Sequence, residues 1–377
     1  MGKSRLFKGI ITPADLEIYS GLDTVQMRQF GGYETQAVRE CFSVAGDHGT
    51  SGLKNSGQIQ PIEKGEICQN ICVPPHAPFM LTWIVKWCNL SFYFSGSGES
   101  SVISVTNAIT IDVEDWYHVC GIGCETSIGP SQRRVMANTE RVLSLLAEFG
   151  AKATFFVLGA VAESEPTLVP MISAAGHEIA SHGYSHRLVT HLDPRQFRDE
   201  VRRTGDILDR QSGKRPVGFR APQWSLGESV AWAFDILHEE GYRYDSSLNP
   251  LPFVGKSSGR RTPYRRQAGN GSIVEIPPMV TPSLFGNLPT GGGWGFRFFP
   301  MKMISGTIRR LNEGGQPAVL YLHPREMESD GPRLRLSPLR AFAVYGPRID
   351  AGEKLRYLLE RFRFGMLCEL MGQWESA

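Results

Sequence analysis

Three carboxylates, Asp112, Glu114 and Asp115, fall within four consecutive positions of the segment IDVEDWYHV. On an extended strand Asp112 and Glu114 project to the same side, so two acids would share one small volume, which is costly unless a cation or a proton is shared. That crowding points to a base beside a metal, set against the plainer reading of a solvated acidic loop. The segment SHGYSH then places His182 and His186 four residues apart, just after an apolar run. Two imidazoles at that spacing converge on one cation if the loop begins a helical turn, and neutral imidazole suits zinc and similar metals. Alone the spacing is a weak signal that two unrelated surface histidines would also give. Beside a carboxylate on a neighbouring strand it gains weight, because two histidines and one carboxylate leave positions open for water and substrate.

Three further sets follow. FRAPQW carries Arg220, able to hold an aspartate ionised and oriented, and Trp224, able to wall a sugar site; a structural ion pair and a core tryptophan are the rival readings. YDSS carries Asp245, a candidate partner for a histidine. VLYLHPRE ends an apolar run on His323, a candidate general acid or else a buried structural histidine.

Each set falls where an apolar strand-like run ends. From Val102 onward such runs alternate with helix-length amphipathic stretches, the pattern of an α/β protein with a parallel sheet or barrel. SVTNAITIDV reads as a first strand, Asn138 to Phe149 as a helix stopped by Gly150, and ATFFVLG as a second strand. PTLVPMISAAG is a short helix and HEIASHG a third strand. The stretch from Asp193 to Gln211 has an N-cap aspartate, Pro194 in its first turn and an amphipathic period, so a surface helix is expected. VGFRAP, a helix through WAFDILHEE and a strand at YRYDSS complete four β-α units, which place chemistry at the C-terminal ends of strands. Pro250 to Pro300 loosens into Pro- and Gly-rich sequence, read as an excursion over the barrel face. Regular pattern returns with the strand PAVLYLHP and a closing helix at EKLRYLLERFRF, whose arginines are read as a solvated face.

The 377 residues suffice for one large domain or two modest ones, and the net charge of +2 gives no basic field for nucleic acid and no acidic tail. Seven cysteines, an odd and uneven set, do not make a disulfide framework. Cys68 and Cys72, or Cys120 and Cys124, lack a second pair at zinc-ligand spacing. The N-terminus has no secretory h-region, and the most apolar run, Phe79 to Phe94, contains Lys86 and is short for a spanning helix. A cytoplasmic protein is expected, working at the inner membrane surface if its substrates are lipid-linked precursors. Residues 1–104 show no assignable fold, with GSGESS at Ser95 to Ser100 resembling a linker. They are expected to be a disordered leader or the product of a start placed ahead of the true one at Val102 or Val105.

IDVEDWYHV, KATFFVLG, AGHEIASHGYSHRLV, GFRAPQW and GYRYDSS together resemble the polysaccharide deacetylase family with the NodB-homology domain, grouped as carbohydrate esterase family four. The likeness is strongest to the branch encoded with exosortase and exopolysaccharide loci. GGGWGFRFFP, LYLHPRE and LRYLLERFRF resemble that branch's C-terminal extension, here about 270–377, within a deacetylase domain of 105–377. The resemblance implies a distorted (β/α)7 barrel that hydrolyses N-acetyl groups of an amino-sugar polysaccharide. It implies a divalent metal, Zn2+ first among candidates, held by His182 and His186. Asp112 would be the base, positioned by Arg220; Asp245 would tune His323, the acid; Leu322 would line the acetyl pocket. The family's usual adjacent aspartates are interrupted here by Val113 and Glu114. Strand alternation favours Glu114 as the metal carboxylate, with Asp115 the alternative. The implied partner is an N-acetylated glycan, with contact to the membrane or exopolysaccharide assembly machinery. Two rival functions stand beside this one: an amidohydrolase acting on a small cyclic amide or imide, and a glycan-binding protein without catalysis.

Overall fold

The computed structural model describes residues 105–119, 128–252, 258–284 and 286–375. The expectations for residues 1–104, and for Cys120 and Cys124, lie outside these ranges. Among the described residues no helix is long and apolar enough to cross a membrane.

The chain runs β1 (Thr106–Val113), α1 (Val135–Glu148), β2 (Thr154–Val157), α2 (Gly159–Ser164), α3 (Leu168–Ala174), β3 (Glu178–Ser181), α4 (Pro194–Ser212), β4 (Gly218–Phe219), α5 (Trp232–Glu239) and β5 (Tyr244–Asp245). It continues through β6 (Tyr264–Ala268), β7 (Gly271–Glu275), β8 (Thr281–Ser283), β9 (Gly286–Leu288), α6 (Gly293–Phe298), α7 (Met301–Glu313) and β10 (Val319–Leu322). α8 (Pro338–Tyr345), α9 (Gly352–Leu359), β11 (Arg363–Gly365) and α10 (Leu367–Glu375) close it.

β10, β1, β2, β3, β4, β5 and β7 pair in that order, all parallel, with β6 antiparallel to β7 at the far edge. Beyond β7 the Met279 N–H donates to the Val319 carbonyl of β10 at 2.8 Å, bringing the ends of the sheet together into a distorted barrel. Side-chain alternation sorts the strands into two apolar layers. Ile109, Ile111, Val113, Phe155, Val157, Leu320 and Leu322 face the helices, packed with Leu145 and Leu146 of α1 and Leu355 and Leu358 of α9. Ala108, Phe156, Ala180, Tyr244, Val274 and Val319 form a second, inward cluster. Thr110 and Asp112 alternate with the outward set and so share the inner face.

The expected helix at Asp193 forms with both halves of a capping box: the Asp193 side chain accepts from the Gln196 N–H at 2.8 Å, and Gln196 accepts from the Asp193 N–H at 3.1 Å. It stops at Gly213, whose φ of 73° a side chain would resist. The stretch from Pro250 to Pro300 departs from the expected excursion. It contains the β6–β7 hairpin, and β7 joins the parallel sheet beside β5. Its turn signal is Asn270–Gly271 after Gly269; β6 (YRRQA) is polar because one face is exposed, which conceals it from a search for apolar runs. At the C-terminus the helix ends at Leu359, and Arg363–Gly365 extends to pair with the first half of β1.

Candidate metal and catalytic site

β1 ends at Val113 with Asp112 and Glu114 on the inner face, each 3 % exposed. Beside Asp112, Arg220 leaves β4 fully buried and donates from Nη1 to Asp112 Oδ1 at 2.7 Å and to Thr110 Oγ1 at 2.7 Å. Its other two nitrogens are engaged as well: Nε donates to the Ser246 carbonyl at 3.0 Å and Nη2 to Ser246 Oγ at 2.8 Å. The guanidinium lies over the Phe156 ring, 4.2 Å from its centroid. An arginine bonded through all three of its nitrogens is held in place, so Asp112 is kept in one orientation by a charge-assisted bond.

Glu114, His182 and His186 each offer one ligand atom, and these atoms lie within 4.8 Å of one another. His182 Nδ1 sits 2.8 Å from the Arg220 carbonyl. That acceptor fixes the Nδ1–H tautomer and leaves Nε2 as a bare lone pair, the state a metal requires. Burial pushes the His182 imidazole down to about 4, so it is neutral across the physiological range. His186 Nε2 lies 2.6 Å from Glu114 Oε2. His186 has a φ of 56°, a left-handed conformation uncommon for a residue with a side chain. The 182–186 turn is tied to α4 by Glu200, whose carboxylate accepts from the Tyr184 and Ser185 N–H groups at 3.3 Å and from the Ser185 hydroxyl. Burial pushes the Glu114 carboxyl up, but the charges of Arg325, His186 and His323 outweigh it and hold the group well below the carboxylate range. Two nitrogens and one oxygen, a fixed histidine tautomer and an ionised carboxylate fit a divalent ion such as zinc, with positions left open.

Asp115 is elsewhere. Its carboxylate accepts from the Trp116 N–H at 2.8 Å, the Arg134 N–H at 2.9 Å and the Val135 N–H at 3.2 Å, capping the start of α1. Asp115 carries on the helix-facing alternation of Ile111 and Val113, which sets it against the start of α1; the alternative assignment of Asp115 as the metal carboxylate is corrected in favour of Glu114.

His323 follows β10 with Nε2 3.5 Å from Glu114 Oε1. Its Nδ1 faces Glu326 Oε1 at 3.0 Å, within one 3₁₀ turn. Glu326 is 2 % exposed and meets Arg297 Nη2 at 3.6 Å. Arg297 is itself anchored to the Pro347 and Tyr345 carbonyls at 3.0 and 2.6 Å. Asp245, expected to tune His323, does not: it accepts from the Ser247 hydroxyl at 2.6 Å and the Ser247 N–H at 3.0 Å and is hydrogen-bonded to Glu275. Burial raises both carboxyls, and Ser247, which donates to Asp245, accepts from the Ala221 N–H beside Arg220 at 2.8 Å. Glu326 occupies the place assigned to Asp245. The signal was present in HPRE, a carboxylate three residues after the histidine; nothing local marked Arg297.

Leu322 is also corrected. It is 1 % exposed and belongs to the helix-facing layer, as alternation through Leu320 requires. Tyr321 and His323 take the inner side, with Tyr321 edge-on to Trp224 at 4.7 Å. Trp224, half-buried, and Gln223 both have positive φ, 57° and 48°, a strained pair of the kind found at ligand sites. Arg325 donates to Glu114 Oε1, and His118, whose Nδ1 accepts the Asp115 N–H at 2.8 Å, lies 6.0 Å from the His186 ring; the motifs did not single out either.

Known proteins resemble this chain along the same lines. The polysaccharide deacetylase family model matches residues 128–244, and a domain of unknown function, DUF3473, matches residues 246–372. Over 157 residues the chain is 34% identical to the peptidoglycan deacetylase-like protein FGM2 of Gibberella zeae, covering 36% of this chain and 45% of that protein. It therefore spans less than half of that relative. Over 225 residues it is 30% identical to the peptidoglycan deacetylase of Helicobacter pylori, covering 50% of this chain and 75% of the relative. Two solved structures share the fold. One from Mycobacterium smegmatis, assigned to the polysaccharide deacetylases, has a TM-score of 0.51 at 22% identity and covers 74% of this chain and 93% of its own. The other, PuuE allantoinase, has a TM-score of 0.52 at 17% identity and covers 76% and 96%. With the barrel, the residues at its strand ends and these likenesses together, the chain belongs to the polysaccharide deacetylase family.

Proposed function

We propose that the protein is a metal-dependent N-deacetylase of an amino-sugar glycan, releasing acetate and leaving a free amine. The observation that carries this reading is one inner rim holding three devices: the Asp112–Arg220 pair, the Glu114–His182–His186 cluster and the His323–Glu326 pair. Amide hydrolysis asks for a base, stabilisation of an oxyanion and an acid for the leaving nitrogen, and the rim offers one device for each. A divalent cation held by Glu114, His182 and His186, Zn2+ by the donor set, supplies Lewis-acid stabilisation of the developing oxyanion when bound.

The chain's own groups do the rest. Asp112, aimed by Arg220, takes the proton of the attacking water. His323 gives a proton from Nε2 to the departing nitrogen while Glu326 accepts from Nδ1–H and balances the imidazolium charge; Arg297 holds Glu326 in turn. Trp224 and Tyr321 provide an aromatic wall of the kind sugar rings use. The motif resemblance supports an exopolysaccharide or its precursor as the polymer, and the relatives' names support an N-acetylated glycan in general.

The test uses the full chain. Metal content is measured on purified protein, and acetate release is followed from N-acetylglucosamine oligomers with the wild type and Asp112→Asn. Stoichiometric metal with release lost in the variant is expected. Bound metal without release from any oligomer would move the reading to a small cyclic amide, and metal-free protein that binds the oligomers would move it to a glycan-binding role.

A further inference from the structure

Beside Glu114 lies a small cavity bordered by Trp116, Arg297, Arg325, Arg333, Tyr345 and Glu328. Three of these six residues are arginines, and their charges are unequally matched. Arg297 faces Glu326 and Arg325 faces Glu114. Arg333 lies over the Tyr345 ring, 5.5 Å from its centroid, and donates to the Gly346 carbonyl at 3.3 Å, with no carboxylate paired to it among the described residues. The Glu328 carboxylate is turned to Asn138, accepting from Nδ2 at 3.0 Å. Arg325 adds an independent sign of a missing ligand: Nη1 is spent on Glu114, but its buried Nε has no hydrogen-bond partner. A buried N–H of a cation left without an acceptor costs free energy, and an incoming acceptor removes that cost. Burial, and then the charges of Arg348, Arg297 and Arg325, depress the proton affinity of Arg333, consistent with a local surplus of positive charge. The walls are rigid: the Tyr345 hydroxyl donates to the Trp116 carbonyl and accepts from the Leu334 N–H, both at 3.0 Å.

We propose that this cavity is a carboxylate subsite, formed by Arg325 Nε and the Arg333 guanidinium, and that the glycan is acidic, carrying a carboxylate on or next to the sugar whose acetyl group is removed. The proposal rests on the deacetylase reading of the neighbouring centre. One guanidinium joins the two, since Arg325 touches the candidate metal carboxylate with Nη1 and borders the cavity. Through that one guanidinium a group bound in the cavity adjoins the candidate metal centre. Planar, forked donors suit a carboxylate. The same chemistry could be met by the acetate the reaction releases, and the experiment separates the two sources.

Zinc-loaded full-length protein is assayed for acetate release from two hexasaccharides, one of N-acetylglucosamine alone and one alternating N-acetylglucosamine with glucuronate, with wild type and Arg333→Gln. Binding of both to Asp112→Asn is measured by calorimetry, so that slow turnover hides nothing. The expected result is KM and Kd about tenfold lower for the uronate oligomer, the scale of a 1.4 kcal/mol contact, with the difference shrinking toward unity in Arg333→Gln and in high salt. Competitive inhibition by millimolar acetate, relieved in Arg333→Gln, with equal affinity for the two oligomers would keep the carboxylate subsite and assign it to the product. Equal affinities with no acetate effect would overturn the proposal while leaving the deacetylase reading intact. Metal-loaded protein that releases acetate from neither oligomer but still prefers the uronate one would overturn the deacetylase reading and keep the subsite.

Discussion

Arg220 and Asp112 are separated by 108 residues of sequence and by 2.7 Å in space, both almost wholly removed from water. An ion pair so placed is held by geometry, and its loss exposes the desolvation cost of whichever charge remains.

Arg220→Met is therefore expected to destabilise the protein by about 3–5 kcal/mol, because Asp112 is left buried without its counter-charge. Denaturant unfolding measures it, and combining Arg220→Met with Asp112→Asn should recover part of the loss. Asp112→Asn alone should fold and lose acetate release by about 10²–10⁴-fold, the contribution expected of a general base. A double variant no more stable than Arg220→Met alone would show that the charge is not what the arginine serves.

The two acids beside each other should separate cleanly. Glu114→Gln is expected to lose bound metal, read by elemental analysis of purified protein. Asp115→Asn should retain it and instead lose about 0.5–2 kcal/mol of stability, as expected for a weakened helix cap. Metal lost from Asp115→Asn in folded protein would reinstate it as the ligand.

Glu326→Gln tests the partner of His323 through the leaving group. Hydrolysis of an N-acetyl amide, which needs the nitrogen protonated, should fall about 10²-fold or more. Hydrolysis of an aryl acetate, whose phenolate leaves unaided, should fall far less. Equal losses on both substrates would reduce Glu326 to a structural role.

Away from the site, His177 accepts the Ala153 N–H on Nδ1 at 3.2 Å, and burial, followed by the Lys152 charge, pushes it down from 6.5 to about 4. Between those values the unfolded chain binds a proton that the folded chain refuses. Stability contributed by the neutral imidazole is thus present above pH 6.5 and is lost as pH falls toward about 4, by at most about 1.4 kcal/mol per pH unit. Unfolding curves of wild type and His177→Gln should diverge through that window, with the wild type the more acid-sensitive. Parallel curves would place the titration elsewhere.

What was legible in the sequence was what a short segment decides. Asp112 and Glu114 fall on one face because strand alternation is local, and the Asp193 helix is announced by its own cap and proline. The misreadings arose where a distant element decides. Asp115 looks like a ligand until α1, some twenty residues on, presents bare N–H groups to it. Asp245 looks like a histidine partner until Glu275, thirty residues away, takes the other side of its carboxyl. Leu322 could have been placed on the helix-facing layer from alternation alone, yet the family resemblance assigned it to the acetyl pocket. β6 stayed hidden because a strand with one exposed face, in a Pro- and Gly-rich stretch, carries little apolar signal.

β1 carries Asp112 and lies between β2, which follows it, and β10, which begins more than two hundred residues after β1 starts. Pairings of such separation form slowly, because the loop must be ordered before any contact rewards it. On the ribosome, β1 therefore waits with one edge open until residues 319–322 and 363–365 have emerged. A nascent chain stalled before that point would present an apolar, unpaired strand, the state that recruits chaperones. Of the described strands, the one that carries Asp112 is thus the first made and among the last enclosed.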